Sequence, residues 1–280
     1  MNIARKRHFD VICAGEVLWN LAAPSAGGGG KLRFIPGDGA VTVAMAIARA
    51  GIRVGLATVV EDDTPGRAMF DRIAASGVDV GGVAVAPARA SLVFVDGTGA
   101  AREVGASADD GQPIAVPPSW SSRVLLLSGL SPVVSHEAAL CKAARAGRRA
   151  GAIVVVDVRA RWHLWAGRDT RAIRSVVREA DVVSCRAEDF AILGLDASAL
   201  RAQMRKDAVL VTSNGVCWAS GPFGEIARKT PAALGLSATS VEDPLTVSIC
   251  TELVRAGLPG DDRLDVWERA IDRIRALYDR

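Results

Sequence analysis

Short apolar runs alternate with amphipathic stretches along most of this chain. Phe9 to Gly15 (FDVICAG), Val54 to Val60, Val124 to Leu127 (VLLL), Ile153 to Val156 (IVVV), Val182 to Cys185 and Val209 to Thr212 are too short for helices. They also lack the polar alternation of a strand with one wet face, so they predict strands buried on both sides. Between them, apolar residues recur at helical spacing over Ala40–Ala50, Pro65–Ser76, His136–Ala150, Arg171–Glu179, Ala187–Leu193 and Leu264–Tyr278. Gly51 and Gly77 stop the first two of these helices. Val216 to Ala219 reads as a hairpin partner of the Val209 run, and Val83 to Glu103 as short antiparallel strands near a sheet edge. Repeated βα units of this kind predict an α/β fold with a mostly parallel sheet and helices on both faces. Ligands in such sheets bind beyond the carboxyl ends of the strands.

One further stretch organises the reading, Ser237 to Leu253 (SATSVEDPLTVSICTEL). Asp243 can cap a helix and Pro244 fits its first turn, where no backbone N–H is needed. Leu245, Ile249, Cys250 and Leu253 then share one apolar face. A helix start of this kind is an anion site, because its first N–H groups lack partners and the dipole is positive there. A carboxylate at that place is equally suited to take a proton from a substrate hydroxyl. On these residues alone an ordinary Asp-Pro helix start accounts for the pattern as well.

Composition narrows the field. The chain has 280 residues, half of them hydrophobic, with 34 basic and 31 acidic side chains and a net charge of +3. That balance argues against a nucleic acid or a membrane surface as partner. Cys13, Cys141, Cys185, Cys217 and Cys250 are scattered among apolar neighbours without a CxxC pair, as expected for buried thiols of a reducing compartment. The basic start MNIARKRHFDVICAGEV reaches Glu16 too soon for a signal peptide, and no segment has the ~18 apolar residues of a membrane helix. A cytoplasmic protein is expected. The four glycines at 27–30 are not followed by Lys-Ser/Thr, so they read as a flexible connection rather than a phosphate loop. His8, His136 and His163 lack metal or triad spacing and are expected to be structural. Trp165 reads as packing, and Trp162 as a residue that can line a pocket.

Several segments, in order and spanning nearly the whole chain, resemble the ribokinase-like, PfkB-type carbohydrate kinases, nearest the fructokinase and 2-keto-3-deoxygluconate kinase branch. The most specific is PGDGAVTVAMAIARAGIRVGLATVVEDDTPGRAMFDRIAASGVDV, similar to the family's glycine-rich sugar signature, its Gly-Asp-Asp-x-x-Gly loop and the helix end after it. AGEVLWNL resembles the first sugar-contacting strand, DVRARWHLW the D-x-N-x-R…LW run, ADVVSCRAEDF the N-x-x-E segment and VLVTSNG the V-T-x-G nucleotide strand. TSVEDPLTVSICTEL falls where the family has its T-G-A-G-D anion hole.

The resemblance implies a three-layer αβα sandwich formed by residues 1–280 as a single ribokinase-like domain, with a small β lid at about 31–35 and 83–104. It implies transfer of the ATP γ-phosphate to a sugar hydroxyl, with Mg²⁺ bridging the phosphates and Asp243 as the base, chemistry that depends on positioning and charge neutralisation. It places substrate contacts at Asn20, Gly37, Asp38, Thr42, Asp157, Arg159 and Arg161, nucleotide contacts at Thr212, Asn214 and Gly215, and a metal contact at Asp189. The partner implied is a sugar or sugar acid, with a homodimer through the lid.

Departures from the family pattern fall at each of these places. Ser240, Val241 and Glu242 replace the anion-hole stretch Gly-Ala-Gly, and an acidic Glu beside a phosphoryl group has the wrong sign. Asn20 stands for the strand's Asp, Asp38 for a glycine, Thr42 and Arg159 for asparagines, Arg186 and Asp189 for N-x-x-E, and Asn214 for a glycine. Arg159 and Arg161 are either a basic clamp for an anionic ligand or two solvated arginines. Taken together, the losses predict a kinase relative with phosphotransfer impaired or lost. The rival is a binding or regulatory protein that keeps the fold without catalysis and needs no cofactor.

Overall fold

The computed structural model describes residues 8–23, 31–37, 39–87, 92–95, 101–104, 114–130, 137–160, 165, 169–213, 216–229, 244–257 and 264–278. The strands in chain order are β1 (Val11–Gly15), β2 (Trp19–Ala22), β3 (Arg33–Pro36), β4 (Val54–Glu61), β5 (Asp79–Ala86), β6 (Leu92–Val95), β7 (Ala101–Val104), β8 (Val124–Ser128), β9 (Ile153–Asp157), β10 (Val182–Arg186), β11 (Val209–Ser213), β12 (Val216–Gly221) and β13 (Gly224–Lys229). The helices are α1 (Ala40–Arg49), α2 (Thr64–Ala75), α3 (Glu137–Arg149), α4 (Arg171–Val177), α5 (Ala187–Leu193), α6 (Ala197–Gln203), α7 (Pro244–Ala256) and α8 (Leu264–Tyr278).

Nine strands form one sheet in the order β13-β12-β11-β10-β9-β8-β1-β4-β5, and β3-β2-β6-β7 form a second. From β5 across to β11 every pairing in the large sheet is parallel. The last two, β11 with β12 and β12 with β13, are antiparallel, as the Val216 hairpin predicts. Alternate residues of each inner strand enter different cores. Val11, Cys13, Leu126 and Val155 pack with residues of α1, α2, α7 and α8, whereas Ile12, Ala14, Leu125 and Val154 pack with residues of α3, α4 and α6. Both faces are covered, which is why these strands are apolar without alternation. The result is a three-layer αβα sandwich.

Local chemistry sets the helix ends. Asp63 accepts a hydrogen bond from the Gly66 amide at 2.8 Å at the start of α2, and Asp196 accepts one from Ala199 at 2.7 Å at the start of α6. The face predicted on α7 is buried, with Leu245, Ile249, Cys250 and Leu253 at most 4% exposed. Ser248 is buried on the same helix and donates to the Ala270 carbonyl of α8 at 2.6 Å. All five cysteines are buried and free of disulfides. Trp165 is buried in the second core. Among the described residues no helix is long and apolar enough to cross a membrane.

The lid boundaries need correction. Val83 to Ala86 were expected in the lid but continue β5 in the large sheet, in parallel register with Thr58 to Glu61 of β4. The small sheet is built instead from 19–22, 33–36, 92–95 and 101–104. Strand β2, one of its two inner strands, takes in the end of the AGEVLWNL segment, whose strand reading rests on the resemblance because Trp19–Ala22 is short and interrupted by Asn20. The indole of Trp19 fixes this strand to the main body by donating to the Pro65 carbonyl at 2.9 Å. Strand β13 and helix α6 were missed, both being short and rich in polar residues.

Candidate functional site at the carboxyl ends of the strands

The carboxyl ends of β1, β8, β9 and β10 gather polar residues that are almost fully enclosed. Glu16, Ser128, Asp157, Arg159 and Asp189 are each 4% exposed or less. Burying this much polarity away from water is costly unless each group is bonded. Asp157 closes β9, and its Oδ2 accepts from the Ser128 hydroxyl at 2.9 Å and from the Arg159 Nε at 2.6 Å. Arg159 reaches back to its near neighbour because its backbone turns into the left-handed region, with φ of 39°, the only such non-glycine residue among those described. Of the two sequence readings for this arginine, a solvated side chain is excluded. It is an interior cation with a carboxylate partner.

Asp189 lies in the first turn of α5 and joins two segments. Its Oδ1 accepts from the Ala160 amide at 2.7 Å and its Oδ2 from the Arg186 amide at 2.7 Å. The turn into α5 is thereby tied to the chain just beyond β9. Burial raises the Asp189 carboxyl to about 7, reinforced by the charge of Asp157 and opposed by the two amide bonds.

A second group of predicted residues surrounds the start of α1. Gly37 donates its amide to the Leu18 carbonyl at 2.7 Å, and a side chain there would strike Leu18 at 1.9 Å. Asn20 is buried on β2, opposite Ile35 of β3. Thr42 is buried in α1 and spends its hydroxyl on the Gly39 carbonyl at 3.1 Å. Gly15 links the two groups. A methyl on it would fall 1.7 Å from the Ser128 carbonyl oxygen and 3.0 Å from the Ala40 methyl, so only glycine lets α1, β1 and β8 converge. Thr212 is half-buried on β11 beside Cys185 of β10, four strands from β1, or roughly 19 Å at ordinary strand spacing.

The structure thus brings Asp157, Arg159 and Asp189 into one cluster. Asn20, Gly37 and Thr42 form another at the same end of the sheet, and Thr212 lies on the far flank. Asp38, Arg161, Asn214, Gly215, Ser240, Val241, Glu242 and Asp243 lie outside the described residues, as do Trp162, His136 and His163. Ser128 and Glu16 belong to this end of the sheet and were not anticipated. The available signal was position, since each is a polar residue just where a buried run ends. Among the described residues no group of three His, Cys, Asp or Glu side chains is arranged to hold a metal.

A mostly parallel sheet between two helical layers, with a small second sheet, defines a ribokinase-like α/β protein. Solved structures share this fold. A PfkB protein from Polaromonas sp. JS666 superposes with a TM-score of 0.73 at 23% identity, over 96% of this chain and 96% of that one. Aminoimidazole riboside kinase from Salmonella enterica, solved with aminoimidazole riboside and an ATP analog, gives 0.73 at 19% identity over 95% and 91%. Fructokinase from Vibrio cholerae O395 gives 0.71 at 18% over 97% and 99%. Residues 9–217 match the model of the pfkB family carbohydrate kinases, and the chain belongs to that family.

Proposed function

We propose that this protein is a sugar-pocket member of the family in which ATP-dependent phosphoryl transfer to a sugar hydroxyl is impaired or lost. The observation that carries this reading is the Asp157–Arg159 pair. Where the family pattern has a neutral asparagine, this chain has an arginine turned into the interior and neutralised at 2.6 Å. A side chain 2% exposed and committed in this way is not presented to an incoming sugar. Asp189 supports the same reading. Magnesium in kinases is held by one or two carboxylates together with substrate phosphates. Both oxygens of Asp189 are engaged by backbone amides, so it fits a positioning role better than a metal ligand.

Two features favour residual catalysis as the second reading. Helix α7 begins at Pro244, immediately after Asp243, and Ser248 is buried and bonded to the Ala270 carbonyl of α8. If turnover survives, Asp243 is the base and ATP with Mg²⁺ the cosubstrate. The sugar or sugar acid then lies near Asn20, Gly37 and Asp38, with the nucleotide near Thr212, Asn214 and Gly215.

Isothermal titration with ATP and Mg²⁺, repeated with a panel of sugars and sugar acids, tests the proposal. Sugar binding with little or no turnover is expected. Turnover at rates typical of kinases, about 1–100 per second, abolished by Asp243→Asn, would overturn it in favour of an ordinary kinase.

A further inference from the structure

The far end of the sheet carries a cavity of about 470 Å³, within the size range of small-molecule sites. Its floor is Ile12 and Leu125, each the second residue of its strand, so it opens at the amino ends, away from the polar cluster. One wall is a face of α3 and the residue after it, formed by Ala139, Ala143, Ala146, Gly147 and Ala150. Helices that cover a sheet usually fill this layer with larger apolar side chains. Here the filling is absent, and a Cβ on Gly147 would already meet Leu125 at 2.7 Å. The opposite wall is the strap 114–122 that leads into β8, with Ile114, Pro117, Pro118 and Trp120 facing the space.

The wall is preformed. The Trp120 ring is seated over Gly55 of β4 and Gly82 of β5, where added methyls would come within 2.7 Å and 2.8 Å of it. It also packs on Phe9, with ring centroids 4.6 Å apart. The backbone of the strap turns back on itself through a 2.9 Å bond from the Trp120 amide to the Pro117 carbonyl. A space of this size lined by methyls, prolines and an indole offers water few partners, which favours an apolar occupant.

Charge selects the occupant further. Lys142 lines the cavity, and Arg149, seven residues on, falls on the same edge of α3. Both are exposed, and neither has an ion-pair or hydrogen-bond partner among the described residues. The other cations of this helix, Arg145 and Arg148, are neutralised by Glu179 on a different face. We propose that this cavity is a second ligand site, separate from the sugar end, for a small amphipathic carboxylate whose apolar body lies against the α3 alanines and whose charge meets Lys142.

Titration of the full chain with sodium decanoate tests the assignment, read by displacement of anilinonaphthalene sulfonate and by calorimetry. One saturable site is expected. Ala143→Phe, placed on the wall to occupy the space, should abolish it while leaving the circular dichroism spectrum and unfolding midpoint close to those of the parent. Lys142→Gln should weaken decanoate by roughly two- to five-fold, the size of an exposed ion pair, and leave decanol unchanged. Absence of saturable binding, or undiminished binding in folded Ala143→Phe, overturns the site. Decanol binding as tightly as decanoate overturns the anion preference.

Discussion

Strand β10 has a buried aspartate at each end, and the two do similar work in different surroundings. At the amino end, Asp181 accepts from the Val154 amide at 2.8 Å and pairs with Arg205 at 3.1 Å. At the carboxyl end, Asp189 accepts from Ala160 and Arg186. Each carboxylate ties β10 or its continuation to the β9 chain. The cation at the amino end has a side chain 30% exposed, whereas Arg159, beside the other cluster, is 2% exposed. An ion pair with a partly exposed cation finishes one end of the sheet. At the other end Asp157 holds the enclosed Arg159 guanidinium, and Asp189 is held by backbone amides. The same kind of bond therefore finishes a partly exposed rim at one end and an enclosed polar cluster at the other.

Mutation can break this contrast. The largest effect is expected from Arg159→Ala, which leaves Asp157 buried beside an empty space and should cost about 3–5 kcal/mol, as for other broken buried pairs. Urea denaturation measures it, and a loss below about 1 kcal/mol would mean that the pair behaves like a surface one. Asp189→Ala removes the acceptor from two enclosed amides and should cost about 2–3 kcal/mol in the same assay. Loss of the Ala160 tie should also loosen the sugar binding proposed for this chain.

A pH titration sharpens the comparison. The Asp189 carboxyl is raised to about 7 by burial, against ~3.9 in an unfolded chain. Between those values the folded protein holds a proton that the unfolded chain has released. Stability should therefore fall as pH rises from about 4 to 7 and then level off. Asp189→Asn should flatten most of that slope. Asp181 is shifted upward by burial as well, so Asp181→Asn should remove a smaller part. An unaltered slope in Asp189→Asn would assign the titration to another group. The smallest effect is expected from Arg205→Ala, at most about 1 kcal/mol, and it should shrink further at high salt.

The strands of the large sheet could be read from the chain because each is apolar on both faces, and the glycines that end α1 and α2 marked their limits. The small sheet was only partly legible. Trp19–Ala22 is four residues long, and its place depends on partners 14 and 73 positions away, Arg33–Pro36 and Leu92–Val95, and on the Trp19 bond to Pro65. At the site, residue types gave Asp157, Arg159 and Asp189 as candidates, yet not what they do. Whether an arginine two residues after an aspartate faces solvent or turns inward depends on one backbone angle, and no pattern of polarity encodes that angle. The cavity beside α3 was invisible for a related reason. A run of alanines reads as good helix and says nothing of what stands opposite.

The order of strands in the large sheet also has a consequence for synthesis. β1 pairs with β4 and β8, and after β8 each new strand, from β9 to β13, adds beside the one made just before it. On a ribosome making about 5–20 residues per second, the nascent sheet grows along a single edge, and that edge is always the newest apolar strand. A chain halted at any point between β8 and β11 would leave a parallel, unpaired apolar border. Only the final hairpin, antiparallel and with the exposed Glu225 on its outer strand, closes the border.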